Sequence, residues 1–308
     1  VNVIYIDPPY NTGNQDFVYN DRYVDSEDGF RHSKWLSFMK PRLQLAHEML
    51  SDDGVIFVSI DDHEQAYLKV MMDGIFGEDN FVGDAIRKTK STTNDIGTGF
   101  NIQHEYLVIY AKNVGMVHMS GPSKDLSRYT NPDNDPLGAW TSDNPSAKSG
   151  NPKTGRFPVT NPYTGRQDWP PKGMYWRFST NTIQKHIDDG TIVFRHPPYN
   201  GRGFIYKRHL KDLRSTHTIF NSLDTVSNEY MNQVATKESL NIIGDLFKYP
   251  KGTAFIRHIL SFVPHDAIIL DFFAGSGTTG HAVAELNKED GGHRKCILIT
   301  NNFEQDGA

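Results

Sequence analysis

The chain has 308 residues, of which 37% are hydrophobic, and a formal net charge of −5. A single cysteine excludes a disulfide framework and fits a reducing cytosol, and no segment has the pattern of a transmembrane helix or a signal peptide. The acidic total disfavours a protein that coats nucleic acid, yet residues 120–217 hold fifteen Lys and Arg against eight Asp and Glu. This local positive charge suits a polyanion-binding region, and it equally suits a solvated surface.

The first 112 residues alternate strands and helices, which is the pattern of a parallel α/β sheet. Apolar runs and helical spacing predict, in chain order, a strand at 3–6, a helix at 35–50, a strand at 55–60, a helix at 61–75 and two strands at 81–90 and 105–112. Pro41 lies inside the first helix and predicts a kink or a new start there. The last two strands leave no room for a helix between them, so we expect an antiparallel hairpin at the sheet edge.

Residues 113–240 differ in character, because Pro, Gly, Asn and aromatic residues dominate and helical periodicity fades. Turn dipeptides such as Asn131-Pro132 and Asn144-Pro145 predict an irregular, partly β module inserted into the chain. Its aromatic side chains form either a small core or a surface that stacks on bases; they are Trp140, Trp169, Tyr175 and Trp176.

Regular structure returns in residues 241–308. The pattern predicts a short apolar helix at 253–262, a buried strand at 267–273, a glycine-rich turn, a helix that reaches Leu286 and a last strand at 295–301. Strand, helix and strand in this order again favour a parallel sheet.

One motif follows the first strand directly and consists of Asp7, Pro8, Pro9 and Tyr10. The prolines stop the strand and fix their φ angles, so an acid and an aromatic ring are held on a stiff turn. Ligands of open α/β sheets bind at the carboxyl ends of the strands, where this turn lies. A strand that simply ends in a proline turn is the alternative interpretation.

A second motif runs from Gly275 to Gly280 and matches G-x-G-x-x-G between a predicted strand and a helix. Glycines let backbone amides approach a ligand, and the start of a helix favours a negative group. The motif alone fits a dinucleotide or another adenosine cofactor. The acid that a dinucleotide site carries at the end of the next strand is absent, because Asn301 stands there.

Both motifs resemble those of DNA amino-methyltransferases. Asp7-Pro8-Pro9-Tyr10 resembles the catalytic motif of enzymes that methylate adenine N6, and residues 271–279 resemble their S-adenosylmethionine motif. Their order is that of the circularly permuted β group. The surrounding residues 11–13, 16–21 and 299–302 are similar to modification subunits of type III restriction-modification systems.

The resemblance implies a Rossmann-like α/β sheet with an inserted, irregular α+β target-recognition region. Residues 1–112 would form the catalytic half, residues 113–240 the recognition insert and residues 241–308 the cofactor-binding half. Val1 already belongs to the first strand, and the family's sheet has one more strand after Asn301. We therefore expect further sequence at both ends.

The resemblance also implies roles for individual residues. Asp7 and Pro8 would accept hydrogen bonds from the amino group of a flipped base, Pro9 would stiffen the turn and Tyr10 would stack on the base. Cofactor-binding residues implied are Asp7, Lys248, Pro250, Thr253, Asp271, Phe273, Gly275, Gly277, Thr278, Thr279 and Asn301. DNA-binding residues are Asn11, Arg87 and Lys88, although Arg87 and Lys88 equally suit a solvated edge strand.

The expected partners are double-stranded DNA, a restriction subunit and a second copy of the chain, in the cytoplasm of a bacterium or archaeon. The histidines show no metal-ligand spacing, so no metal site is predicted. Three other functions stay open: cytosine-N4 methylation, which Asp in place of Ser at position 7 disfavours; a dinucleotide-dependent oxidoreductase; and a non-catalytic DNA-binding subunit.

Overall fold

The computed structural model describes residues 1–13, 17–19, 22–93 and 99–300. They form two compact units: one is built from the chain up to Pro122 and from His217 onward, and the other is Ser123–Thr216. The second unit lies inside the predicted insert of 113–240. No helix within the described ranges is long and apolar enough to cross a membrane.

The chain up to Pro122 supplies four strands of the main sheet and two helices. Its elements are β1 (Val3–Ile6), β2 (Val18–Tyr19), β3 (Arg22–Tyr23), α1 (Arg31–Met49), β4 (Val55–Ile60), α2 (Gln65–Phe76), a 3-10 turn (Glu78–Asn80), β5 (Phe81–Lys88) and β6 (His104–Ala111). Helix α1 continues through Pro41 as one helix. Helix α2 is followed by Gly77. The φ of this glycine is +89°, which residues with a side chain rarely adopt.

The unit Ser123–Thr216 consists of short strands around one helix. Its elements are β7 (Trp140–Asp143), β8 (Ser146–Ala147), β9 (Val159–Thr160), β10 (Gln167–Asp168), β11 (Tyr175–Trp176), α3 (Thr180–Asp188), β12 (Ile192–Phe194), β13 (Phe204–His209) and a 3-10 turn (Leu210–Asp212). Trp176 lies in a small core with Ile183 and Phe204. Trp169, by contrast, is 51% exposed, so the four predicted aromatics do not share one environment.

The chain from His217 onward completes the main sheet. Its elements are a 3-10 turn (Asn228–Tyr230), α4 (Asn232–Ile243), α5 (Thr253–Leu260), β14 (Ile268–Asp271), α6 (Thr278–Asp290) and β15 (Lys295–Leu298). The sheet order is β15-β14-β1-β4-β6-β5. The first four strands run parallel, whereas β6 is antiparallel to β4 and to β5, which forms the edge. The predicted edge hairpin is thus confirmed.

Alternate residues of the parallel strands pack on opposite faces of the sheet, as period-two side chains must. Val3 and Tyr5 belong to a core that includes residues of α5 and α6. Ile4 and Ile6 belong to a second core, which includes residues of α1 and α2. The result is a three-layer Rossmann-like fold, and it places the carboxyl ends of β1 and β14 side by side.

Candidate active site

The turn after β1 is held by bonds to its backbone and side chains. Pro9 cannot donate a hydrogen bond, but its carbonyl accepts one from the indole Nε1 of Trp35 at 2.7 Å. Trp35 is fully buried on α1. The turn therefore stays fixed to α1 while Asp7 and Tyr10 remain partly accessible.

Asp7 lies in a hydrogen-bonded group of three side chains. Its Oδ1 accepts from the Tyr10 hydroxyl at 3.0 Å and from Nζ of Lys251 at 2.8 Å. Nζ of Lys251 also donates to the Tyr10 hydroxyl at 2.8 Å. The acid and the ring of the sequence motif are thus joined by a lysine 241 residues beyond Tyr10.

Asn11, the residue after the motif, is fully buried and has a φ of +57°. Its Nδ2 donates to Oε1 of Glu64 at 2.5 Å, and Nδ1 of His32 lies 2.8 Å from the same oxygen. Burial raises the pKa of Glu64. The side chain of Asn11 is thus enclosed and anchors the turn, and its expected contact with DNA stays a prediction.

The glycine loop begins at the buried Asp271 at the end of β14. Its Oδ2 accepts from the Thr279 hydroxyl at 2.5 Å, and its Oδ1 accepts from the Phe273 amide at 3.0 Å. Asp271 and Thr279 are each 2% exposed. Both residues therefore order the loop from inside, and the Phe273 ring packs 6.0 Å from that of Phe38.

Backbone conformation explains two glycines of this loop. Gly275 has a φ of +48° and Gly277 a φ of +82°, and α6 begins directly afterwards at Thr278. A Cβ atom on Gly275 would lie 2.7 Å from Cζ of Phe247. Because position 275 has no side chain, the Phe247 ring can approach the backbone of the loop there.

Two cavities meet at the segment before α5. A cavity of about 390 Å³ is lined by Asp7, Pro8, Tyr10, Thr12, Glu105, Asn232, Thr236, Tyr249, Pro250 and Lys251. A second, of about 230 Å³, lies beside the glycine loop and is lined by residues that include Glu238, Pro250, Lys251, Thr253, Ser276, Gly277, Thr278 and His281. Pro250 and Lys251 line both cavities and mark the boundary between them.

Arg87 is placed differently from the sequence-based expectation. It is 1% exposed, its Nε donates to Oε1 of Glu105 at 2.7 Å, and its Nη atoms donate to the Tyr230 carbonyl and to Asn232. The guanidinium is thus enclosed and bonded within the protein, and its expected contact with a DNA phosphate stays a prediction. Nζ of Lys88 donates a hydrogen bond to Oδ1 of Asn228 at 2.7 Å, and this bond is exposed to solvent.

Three further residues that were predicted to bind the cofactor have different placements. Thr253 lines the cavity beside the glycine loop, and its amide donates to Oε2 of Glu238 at 3.0 Å. Lys248 is exposed and lines neither cavity. Asn301 lies outside the described residues.

Three charged residues at these cavities were missed by the sequence-based prediction: Glu105, Glu238 and Lys251. Lys251 is in the segment that the resemblance singled out, so its charge beside Pro250 was an available signal. Glu105 opens an apolar strand and Glu238 lies on an ordinary amphipathic helix. Neither position carries a pattern that distinguishes it from a surface acid.

Asp271 should make stability depend on pH. Burial raises the pKa of Asp271 from 3.8 to about 6, although hydrogen bonds from Thr279 and Phe273 oppose the shift. An acid with a raised pKa stabilises the folded state fully below about pH 4, and that contribution is lost as the pH rises through 6. This rise in the pKa corresponds to roughly 3 kcal/mol of folding free energy.

We therefore expect Asp271→Asn to gain stability relative to the wild type as the pH rises from 4 to 7. Urea unfolding at several pH values measures this difference, and Asp266→Asn, an exposed site just before β14, serves as the control. A difference between Asp271→Asn and the wild type that stays constant from pH 4 to pH 7 would contradict the assignment.

Comparison with known proteins agrees with this arrangement of motifs. The DNA methylase family of N6 and N4 methyltransferases matches residues 1–302. The StyLTI Mod subunit of Salmonella typhimurium, a type III restriction-modification protein, is 37% identical over 97% of this chain and 49% of its own length. The type II methyltransferase M.KpnI of Klebsiella pneumoniae is 38% identical over 98% of this chain and 75% of its own length.

A third relative, the EcoPI Mod subunit of Escherichia phage P1, is 33% identical over 97% of this chain and 54% of its own length. The chain thus spans about half the length of the two Mod subunits. Because the family match extends over nearly the whole sequence, the chain belongs to the N6 and N4 DNA methylase family.

Proposed function

We propose that this chain carries the methyl-transfer site of a DNA methyltransferase that modifies adenine N6 in a restriction-modification system. The observation that carries the proposal is the junction of the two cavities. Asp7 lines one and the glycine loop lines the other, on the adjacent parallel strands β1 and β14. Two reactants bound in these cavities would meet at Pro250 and Lys251.

The cavity beside the glycine loop fits S-adenosylmethionine. Gly275 and Gly277 have left-handed backbone, and hydroxyl groups of Ser276 and Thr278 stand at the start of α6. The Glu238 carboxylate adds an acceptor for an amino or hydroxyl group. When bound there, the cofactor supplies an activated methyl group.

Asp7 and Tyr10 would bind the adenine that receives the methyl group. An adenine amino group is weakly nucleophilic, because its lone pair is shared with the ring, and inside a duplex it is out of reach until the base is flipped. Tyr10 offers a ring for stacking, and Asp7 offers a carboxylate that accepts a hydrogen bond from the amino group. That bond strengthens as positive charge develops on nitrogen, so it stabilises the transition state more than the ground state.

Asp at position 7 favours adenine N6 over cytosine N4 as the target. The type III Mod relatives support double-stranded DNA as the substrate and a restriction subunit as a partner. A homodimer and a cytoplasmic location complete the proposal. The unit Ser123–Thr216 holds most of the basic middle region and is the proposed site of target recognition.

Transfer of radiolabel from S-adenosylmethionine to DNA tests the function. The complete gene product should label DNA of mixed sequence, and digestion of that DNA should give N6-methyladenine. Poly(dG)·poly(dC) is the matched substrate without adenine and should stay unlabelled. Label recovered as N4-methylcytosine would overturn the assignment of the base, and no label in any DNA would overturn the proposed activity.

A further inference from the structure

Lys251 forms an ion pair with the proposed catalytic carboxylate, and its surroundings are unusually enclosed for a lysine. Its side chain is 10% exposed, and Nζ lies 2.8 Å from Oδ1 of Asp7 and 3.4 Å from Oε1 of Glu105. It also lies 4.9 Å from the centre of the Tyr10 ring. A buried ammonium is stable only where anions and acceptors surround it, as they do here.

Negative and positive side chains alternate from Asp7 through Lys251 and Glu105 to Arg87. Arg87 bonds the same oxygen of Glu105, Oε1, so this oxygen accepts from one guanidinium and lies close to one ammonium. Burial alone would raise the pKa of Glu105, but the charges of Lys251 and Arg87 outweigh it and hold the pKa below its ordinary value. Glu105 therefore remains an anion that holds Lys251 in place.

The two carboxylate oxygens of Asp7 differ in their hydrogen bonds. Both hydrogen bonds that described residues make to this carboxylate, from Tyr10 and from Lys251, end at Oδ1. We propose that Lys251, held by Glu105, is a positioning residue that fixes the Asp7 carboxylate through Oδ1, so that Oδ2 accepts a hydrogen bond from the amino group of the substrate base. This inference rests on the proposed function and adds a charge requirement to it.

The test is the steady-state kinetics of methyl transfer by the complete gene product. Lys251→Met should lower kcat about 100-fold while KM for S-adenosylmethionine changes by less than about threefold. Lys251→Arg should retain activity within about tenfold, and adding Glu105→Gln to Lys251→Met should return part of the lost rate.

Lys69→Met is the matched control, because Lys69 also forms a lysine–aspartate pair, 2.7 Å from Asp73, on the surface of α2. It should leave kcat unchanged. Wild-type kcat in Lys251→Met, or a loss of rate in Lys251→Arg as large as that in Lys251→Met, would overturn the positioning role and leave the proposed function standing. If the wild type itself methylates no DNA, the proposed function fails, and this inference fails with it.

Discussion

Replacing Asp7 by alanine is expected to lower methyl transfer to DNA roughly 1000-fold while S-adenosylmethionine still binds. The variant removes the only carboxylate of the motif, and with it the acceptor that the amino group needs as charge develops on nitrogen. The fold should persist, because Asp7 lies after β1 and Lys251 keeps Glu105 as a partner. Initial rates of label transfer measure activity, and calorimetric titration measures cofactor affinity.

Two further variants sharpen this result. Asp7→Asn keeps one acceptor oxygen without the charge, so it should fall between the wild type and Asp7→Ala. Asp52→Ala removes an exposed carboxylate from the turn before β4 and should behave as wild type. Full activity in Asp7→Ala would rule out the catalytic role, whereas loss of both transfer and folding would be detected by circular dichroism and would point to a structural role.

Gly275→Ala is expected to weaken S-adenosylmethionine binding at least about tenfold. Its φ of +48° disfavours any side chain, at a cost of about 1–2 kcal/mol. The added methyl group would also lie 2.7 Å from the Phe247 ring, so the ring or the glycine loop must move. Titration calorimetry with S-adenosylmethionine measures the loss.

Gly291→Ala separates the two effects. Gly291 has a φ of +71° at the end of α6, and a Cβ atom there would meet nothing within 4 Å. Gly275→Ala should therefore lose at least as much stability in urea unfolding as Gly291→Ala, while only Gly275→Ala loses affinity for the cofactor. Equal cofactor affinity in the two variants would mean that the loop at Gly275 does not contact the cofactor.

The parallel strands, the edge hairpin and both motifs could be predicted from local patterns. Strands buried on both faces have continuous apolar runs, and a proline pair or a glycine pair changes the backbone wherever it occurs. Pro197-Pro198-Tyr199 shows the limit of such patterns, because the same three letters recur after His196 in the second unit. There the His196 ring stacks on Tyr163 at 3.7 Å, and no aspartate precedes the prolines.

From the sequence alone one can predict that an acid and a ring stand on a stiff turn, that a glycine loop opens a helix, and in which order they come. Which charged side chains meet depends on the packing of distant segments. Arg87 and Lys88 are neighbours on β5, yet Arg87 is enclosed and Lys88 is only half-buried, because successive strand residues face opposite sides. Lys251 reaches Asp7 across 244 residues because β1 and α5 pack in one core, and chain spacing carries no trace of such a contact.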